Sequence, residues 1–288
     1  MAAVEMFPGA CAANKLGGRF RLEDRVGGAY GASLWKATDE LLRRLVAINV
    51  LPDGLPPPRG LIEAVNAAAR VTDPRLARIF DADYGARSPY IVSEWASGEC
   101  VEDLLMAGLP SPAQAAGIIA DAADALAVAH DAGRPHLCLG PRSLRWGTCG
   151  VKITGLGIEA GLSGASSDDA AMTDARALGR MLYALLTGYW PGDEATALPS
   201  APTYRGRLYA PRQLRAGVPA ARRGRSHAAS GRRWYRPPNW PRHCYPAAGP
   251  AWRSESGAKG EVRGTADGAD RRALARIAAR RQPVAAGL

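Results

Sequence analysis

Residues 111–157 constrain the fold more than any other stretch. From Ser111 the chain reads SPAQAAGIIADAADALAVAHDA, and Ile118, Ala122, Ala125, Val128 and Ala129 recur at steps of three and four residues. That is the period of one apolar helix face. Ser111 is a preferred N-cap and Pro112 suits the first helical position, so the spacing predicts a helix that Gly133 then stops. A loop follows, His136-Leu137-Cys138-Leu139-Gly140-Pro141-Arg142-Ser143, then the β-forming run Val151-Lys152-Ile153-Thr154 and the turn Gly155-Leu156-Gly157.

Upstream the text changes period. Phe20-Arg21-Leu22, Ser33 to Ala37 and Leu45 to Val50 are short β-forming runs, which predict three antiparallel strands. Gly27, Gly28 and Gly31 are expected in the first connection. Prolines at 56, 57 and 58 exclude a helix before Gly60, and the alanine-rich Leu61 to Val71 predicts one after it, ended by Asp73-Pro74. Leu76 to Asp81 and Tyr90 to Trp95 read as two further strands, and Glu102-Asp103-Leu104-Leu105 opens a short helix.

In this order the segments resemble a protein kinase. Loop 136–143 stands where kinases carry H-R-D-L-K-P-x-N, and Gly155-Leu156-Gly157 stands where they carry D-F-G. His136, Leu139, Pro141 and Gly157 keep the frame. Gly27, Gly28 and Gly31 resemble the Gly-rich loop, Trp35, Ala37 and Asp39 the segment after it, and Tyr90-Ile91-Val92-Ser93-Glu94-Trp95 the hinge. Asp174-Ala175-Arg176-Ala177-Leu178-Gly179 with Leu182 to Gly188 resembles the helix whose Asp braces the catalytic loop. Tyr204 to Ala220 matches the connection before the last helices of bacterial kinases. The resemblance covers about residues 18–220. It implies an α+β, two-lobed protein kinase-like fold with a small β-sheet N-lobe, a helical and truncated C-lobe, and a disordered basic tail. The expected division is a flexible leader at 1–16, N-lobe and hinge at 17–95, C-lobe at 96–221 and tail at 222–288.

The groups that do kinase chemistry are missing from this frame. Kinases use a strand Lys on the phosphates, a loop Asp as base, and a loop Asn and the D-F-G Asp on magnesium. Asn49, Cys138, Ser143 and Gly155 stand at those positions. An amide cannot neutralise phosphate, a thiol is a poor substitute for a carboxylate base, a hydroxyl is a weak metal ligand, and glycine offers no side chain. Glu63 falls one residue before the place of the helix Glu and reads as a solvated residue. His130 and His136 read as structural, at a helix end and in the loop core, rather than as metal ligands or bases. No catalytic residue and no metal ligand is expected. Gly27, Gly28, Gly31, Ala47, Glu94 and Trp95 could still frame an adenine slot, so no cofactor is expected beyond ATP bound without magnesium. Only 16 residues, Ile158 to Thr173, separate Gly157 from Asp174, and A-P-E is absent from them. Ser163, Ser166 and Ser167 in this segment are candidate phosphorylation sites in a solvated loop.

The opening Gly17-Gly18-Arg19-Phe20-Arg21-Leu22, Leu34 to Ala37, Val92 to Trp95 and Leu182 to Trp190 are similar to actinobacterial kinase-like domains associated with MviN-type lipid II flippases. That likeness implies a pseudokinase, a scaffold in cell-envelope regulation whose partners are true kinases or phosphopeptide-binding proteins. The rival reading is a Ser/Thr protein kinase with residual ATP binding or phosphotransfer.

Net charge marks the end of this frame. Residues 222–288 hold 15 Lys and Arg against 4 Asp and Glu, leaving 22 and 23 for 1–221 out of totals of 37 and 27. The tail carries all the excess charge of a +10 chain. Its only aliphatic residues larger than alanine are Val262, Leu274, Ile277, Val284 and Leu288, too few for a core. Two readings stay open. Arginines interleaved with Trp234, Tyr235, Trp240, Tyr245 and Trp252 suit a nucleic-acid-binding tail. The same composition suits a shifted reading frame in GC-rich DNA from about Ala221, which the gene's other two frames would decide. Asp270 to Arg281 predicts a short basic helix in either case. Five scattered cysteines without metal-ligand spacing suit free thiols in a reducing cytosol. No signal peptide and no membrane segment is read, so a cytoplasmic protein is expected.

Overall fold

The computed structural model describes residues 15–219 except 55 and 59. The leader to residue 14, the frame change considered near Ala221, the basic tail and the short helix expected at 270–281 lie outside the described residues. The chain begins with β1 (Lys15–Leu16), β2 (Phe20–Ala29), β3 (Ala32–Asp39), β4 (Arg44–Val50), α1 (Leu61–Ala68), β5 (Ile79–Asp83) and β6 (Tyr90–Glu94). These strands form one antiparallel sheet in the order β1-β2-β3-β4-β6-β5. Alternation makes the sheet: Val46, Ile48 and Val50 of β4 are buried with Phe20, Leu22, Ala37, Tyr90 and Val92, while Ala47 and Asn49 take the other face. Arg19 bonds Asp39 through two nitrogens, at 2.8 and 2.6 Å, and ties the first hairpin to the far end of β3.

The helical half holds β7 (Glu99–Cys100), α2 (Val101–Ala107), α3 (Pro112–Asp131), β8 (Leu144–Gly147), β9 (Gly150–Ile153), α4 (Ile158–Ser163), α5 (Ala170–Thr187), β10 (Thr203–Tyr204), β11 (Arg207–Leu208) and α6 (Pro211–Leu214). A capping box opens α3, with the Ser111 hydroxyl accepting from the Gln114 N–H and the Gln114 side chain accepting from the Ser111 N–H. Small residues let α3 and α5 approach. Ala115, Ala122, Ala125 and Ala129 are buried with Ile118 and Leu126, in one cluster with Leu178, Met181, Ala184 and Leu185. Leu61, Val65, Leu51, Ile91 and Ile158 form a smaller cluster where α1 and α4 meet the sheet.

Several boundaries differ from those the sequence suggests. Lys15 and Leu16 pair with Arg21 and Phe20, so the sheet begins inside the expected leader. Gly27 and Gly28 are not in the connection. They lie in β2 opposite Leu34 and Ser33, next to irregularities that let β2 run on past the polar residues. Only Tyr30 and Gly31 make the turn, both at positive φ, +54° and +82°, the geometry of a two-residue hairpin turn. Helix α1 ends at Ala68, and a tighter turn (Arg70 N–H to Ala67 O, Val71 N–H to Ala68 O) carries Val71 into the core. The expected solvated loop after Gly157 starts as a helix, α4, because Ile158 docks in the cluster with Leu61 and Val65.

Candidate nucleotide and phosphotransfer site

The cleft between sheet and helices is built on the loop after α3. Asp174, in the second turn of α5 and 2% exposed, accepts the N–H groups of His136 and Leu137 at 2.8 Å each. His130, at the end of α3, brings Nε2 to 2.8 Å from the same carboxylate. Leu137 is held left-handed at φ +64°, a conformation that needs such an anchor. His136 is fully buried and sets Nε2 2.8 Å from the carbonyl of Thr154, joining the loop to the end of β9.

Cys138 follows, with Sγ 3.3 Å from the Ser163 hydroxyl of α4. The Tyr30 hydroxyl, from the turn of the glycine hairpin, faces this thiol; burial first, then Cys138 and Glu159, push its pKa above the usual tyrosine value. Asn49 sits on β4 opposite Leu34 and Ile91, and Ala47, on the same face, sits opposite Lys36 and Ser93. Glu94 is held by Lys152 at 2.7 Å and by the Arg78 N–H at 3.2 Å, and the Lys36 ammonium stands 6.0 Å from the Trp95 ring centre. Glu63 is exposed, as are Ser166 and Ser167, while Ser163 is half-buried.

Gly155 and Gly157 both have positive φ, +86° and +74°. At Gly157 a Cβ would stand 2.6 Å from the Ala68 Cβ and 2.7 Å from the Ala64 carbonyl oxygen, so α1 rests on bare backbone there. At Gly155 a Cβ would collide with the carboxyl of Glu159, 2.7 Å from its Cδ and nearer still to Oε1. Glu159 lies one helical turn on, its Oε2 and Oε1 3.2 and 3.3 Å from the Ser143 hydroxyl. The Glu159 side chain is half-buried. Burial pushes its pKa above the usual carboxylate range, against the opposing pull of His136 and Ser143.

Comparison with known proteins fits this geometry. The chain is 32% identical over 156 residues to the serine/threonine-protein kinase PknA of Mycobacterium tuberculosis, covering 50% of this chain and 36% of PknA. It is 28% identical over 170 residues to the probable serine/threonine-protein kinase PknB of Corynebacterium glutamicum, covering 56% and 26%. Among solved structures it is similar to Rad53 1-466 in complex with AMP-PNP, with TM-score 0.52 and 21% identity, covering 62% of this chain and 51% of that one. This is the protein kinase-like fold. No family model matches the chain. The matched region spans between about a quarter and about a third of the length of these curated kinases.

Cys138 and Ser143 lie on the loop after α3, Gly155 follows β9, and Asn49 lies on β4; of these, Ser143 and Gly155 both meet the Glu159 carboxyl. Two residues at this site escaped the sequence reading. Tyr30 carries no sequence signal beside the flanking glycines. Glu159, a carboxyl four residues after Gly155, has the pattern of an ordinary helix residue. Its one signal is that spacing, a single turn, which lets it reach back over a glycine.

Proposed function

We propose that the protein is a catalytically inactive kinase-like module, a pseudokinase that regulates or scaffolds other proteins. The observation that carries this reading is Cys138. Its thiol lies 3.3 Å from the Ser163 hydroxyl, and the kinase resemblance of loop 136–143 aligns it with the base that accepts a substrate hydroxyl proton. Asn49, in the place of the phosphate-binding Lys, supports the same conclusion. Loss of a positioned base costs about 10²–10⁴ in rate, and loss of a charge-stabilising donor about 10²–10³. Together these leave no useful phosphotransfer. What remains is the bracing of the loop by Asp174 and His136, which serves shape.

As such a module it would act in cell-envelope regulation, in the cytoplasm, with true kinases or phosphopeptide-binding proteins as partners. Among the described residues no helix is long and apolar enough to cross a membrane. Domain boundaries near 17, 95 and 221 belong to the same proposal. The second reading, a Ser/Thr kinase retaining ATP binding or phosphotransfer, draws on the names of PknA and PknB and on the carboxyl of Glu159. Nucleic-acid binding, the third reading, rests on the composition of 222–288 and predicts salt-sensitive binding lost on their deletion.

The test is incubation of the full chain with radiolabelled ATP, magnesium or manganese, and a generic Ser/Thr substrate. No incorporation above that of a reaction without the protein supports the proposal. Incorporation above that background overturns it.

A further inference from the structure

The hairpin of β10 and β11 lies outside the cleft and has no part in either kinase reading. Thr203 to Leu208 are all exposed, Tyr204 by 55%. Tyr204 pairs with Arg207 and Thr203 with Leu208, so Tyr204 and Arg207 share one face of the ribbon. The Arg205 guanidinium lies 5.3 Å from the Tyr204 ring centre. Arg205 and Gly206 make the turn at φ +49° and +74°. Such a turn favours Asn or Asp before Gly. A left-handed arginine at the tip is a local cost, and strain of that kind points to a role beyond the turn. The ribbon is fixed to the helical body: the Tyr183 hydroxyl donates to the carbonyl of Tyr209 at 2.9 Å, and Arg215 donates to the Leu186 carbonyl at 3.4 Å. Between Glu194 and Arg222 the chain has four arginines, Arg205, Arg207, Arg212 and Arg215, and no Asp or Glu. Among the described residues none of the four makes an ion pair. Asp193 and Glu194 border the hollow beside Thr203 and Leu208, but Glu194 is engaged by Arg180 and by the Trp190 indole. Asp193 alone is left against the four guanidiniums.

We propose that this ribbon binds single-stranded nucleic acid, with a base stacked on Tyr204 and the phosphate backbone held by Arg205 and Arg207. A guanidinium is a planar fork of donors that matches phosphate oxygens in pairs, and unpaired arginines on an exposed face are free to use it. An aromatic ring beside them supplies the second element of a single-strand site, a surface on which any base can stack. Only an unpaired base can leave its neighbours to reach such a ring, which favours a single strand over a duplex. An anionic membrane would meet the same arginines but would find little to bury, since Leu208 is the only aliphatic side chain in residues 203–208. The contact lies in the folded part of the chain, so the proposal goes beyond the reading of 222–288. It is independent of whether phosphate is transferred in the cleft.

The experiment is fluorescence anisotropy of the full chain with labelled oligouridylate and oligothymidylate of about 12 nucleotides, titrated over a range of salt. The basic tail is common to every variant, so differences between variants belong to the ribbon. Arg205→Ala with Arg207→Ala should reduce the slope of log affinity against log salt by about 1.4, at about 0.7 per phosphate contact on a single strand. Tyr204→Ala should weaken binding by about fivefold or more without changing that slope, and Tyr204→Phe should bind like the parent chain. Ultraviolet cross-linking read by mass spectrometry should place an adduct on Tyr204. Should Tyr204→Ala melt below the parent chain, the arginine pair and the cross-link carry the test. Parental affinity and slope in both the arginine and the Tyr204→Ala variants overturn the site, as do cross-links confined to 222–288. Loss of binding to phosphatidylglycerol vesicles in the arginine variant, with both oligonucleotides bound as before, overturns it in favour of a membrane surface. A preference for either oligonucleotide keeps the site and tells RNA from DNA.

Discussion

Asp174 does more for the cleft than any other side chain. It accepts two backbone N–H groups of the loop and faces His130, at 2% exposure. Removing it strands buried donors, at about 1–3 kcal/mol each. Asp174→Ala should therefore lose about 3 kcal/mol and lower Tm by roughly 6–12 °C, measured by urea and thermal unfolding. Asp39 governs a different property. The Arg19 guanidinium holds its carboxyl below the usual carboxylate range, more than offsetting desolvation, with the Leu42 N–H adding to the pull. A depressed pKa stabilises the fold above the unfolded value near about 3.9. That stability is lost as pH falls through the folded value. Asp39→Asn should thus melt lower at pH 7, and its difference from the parent chain should shrink as pH drops from about 4. A difference that persists undiminished at low pH would contradict this.

Elements were legible in the sequence to the extent that local chemistry makes them. The limits of α3 follow from Ser111, Pro112 and Gly133, and Ser111→Ala should cost about 1 kcal/mol in chemical denaturation. β2 was read short because Gly27 and Gly28 signal a turn, while the actual turn needs only Tyr30 and Gly31 at positive φ. α4 was hidden in a Ser, Asp and Gly-rich segment, since what makes it a helix is docking of Ile158 beside Leu61 and Val65. The same tertiary cause placed Glu159 over Gly155. A carboxyl's role there depends on two left-handed glycines aiming the chain, which no local pattern reports. Gly157 marks the tightest contact of α1 with this turn. Gly157→Ala should lose about 1–3 kcal/mol through the clash with Ala64 and Ala68 and its positive φ. Unfolding at the parental denaturant midpoint would refute that packing.

At the scale of the molecule, a curled sheet and a helical body meet at a loop braced by Asp174 and His136. The frame was legible from His136, Gly157 and Asp174 because their spacing serves the backbone. The residues at the kinase-frame positions are legible as identities, whereas the approach of Glu159 to Gly155 is not, because it is a matter of space. The central claim is that the frame is sound and that phosphotransfer is prevented by Asn49 and Cys138. Restoring both tests it most directly. The account predicts that the full chain incorporates no phosphate from ATP in the presence of Mn²⁺, and that Asn49→Lys with Cys138→Asp gains measurable transfer. A parent chain that transfers phosphate as fast as the restored variant would contradict it.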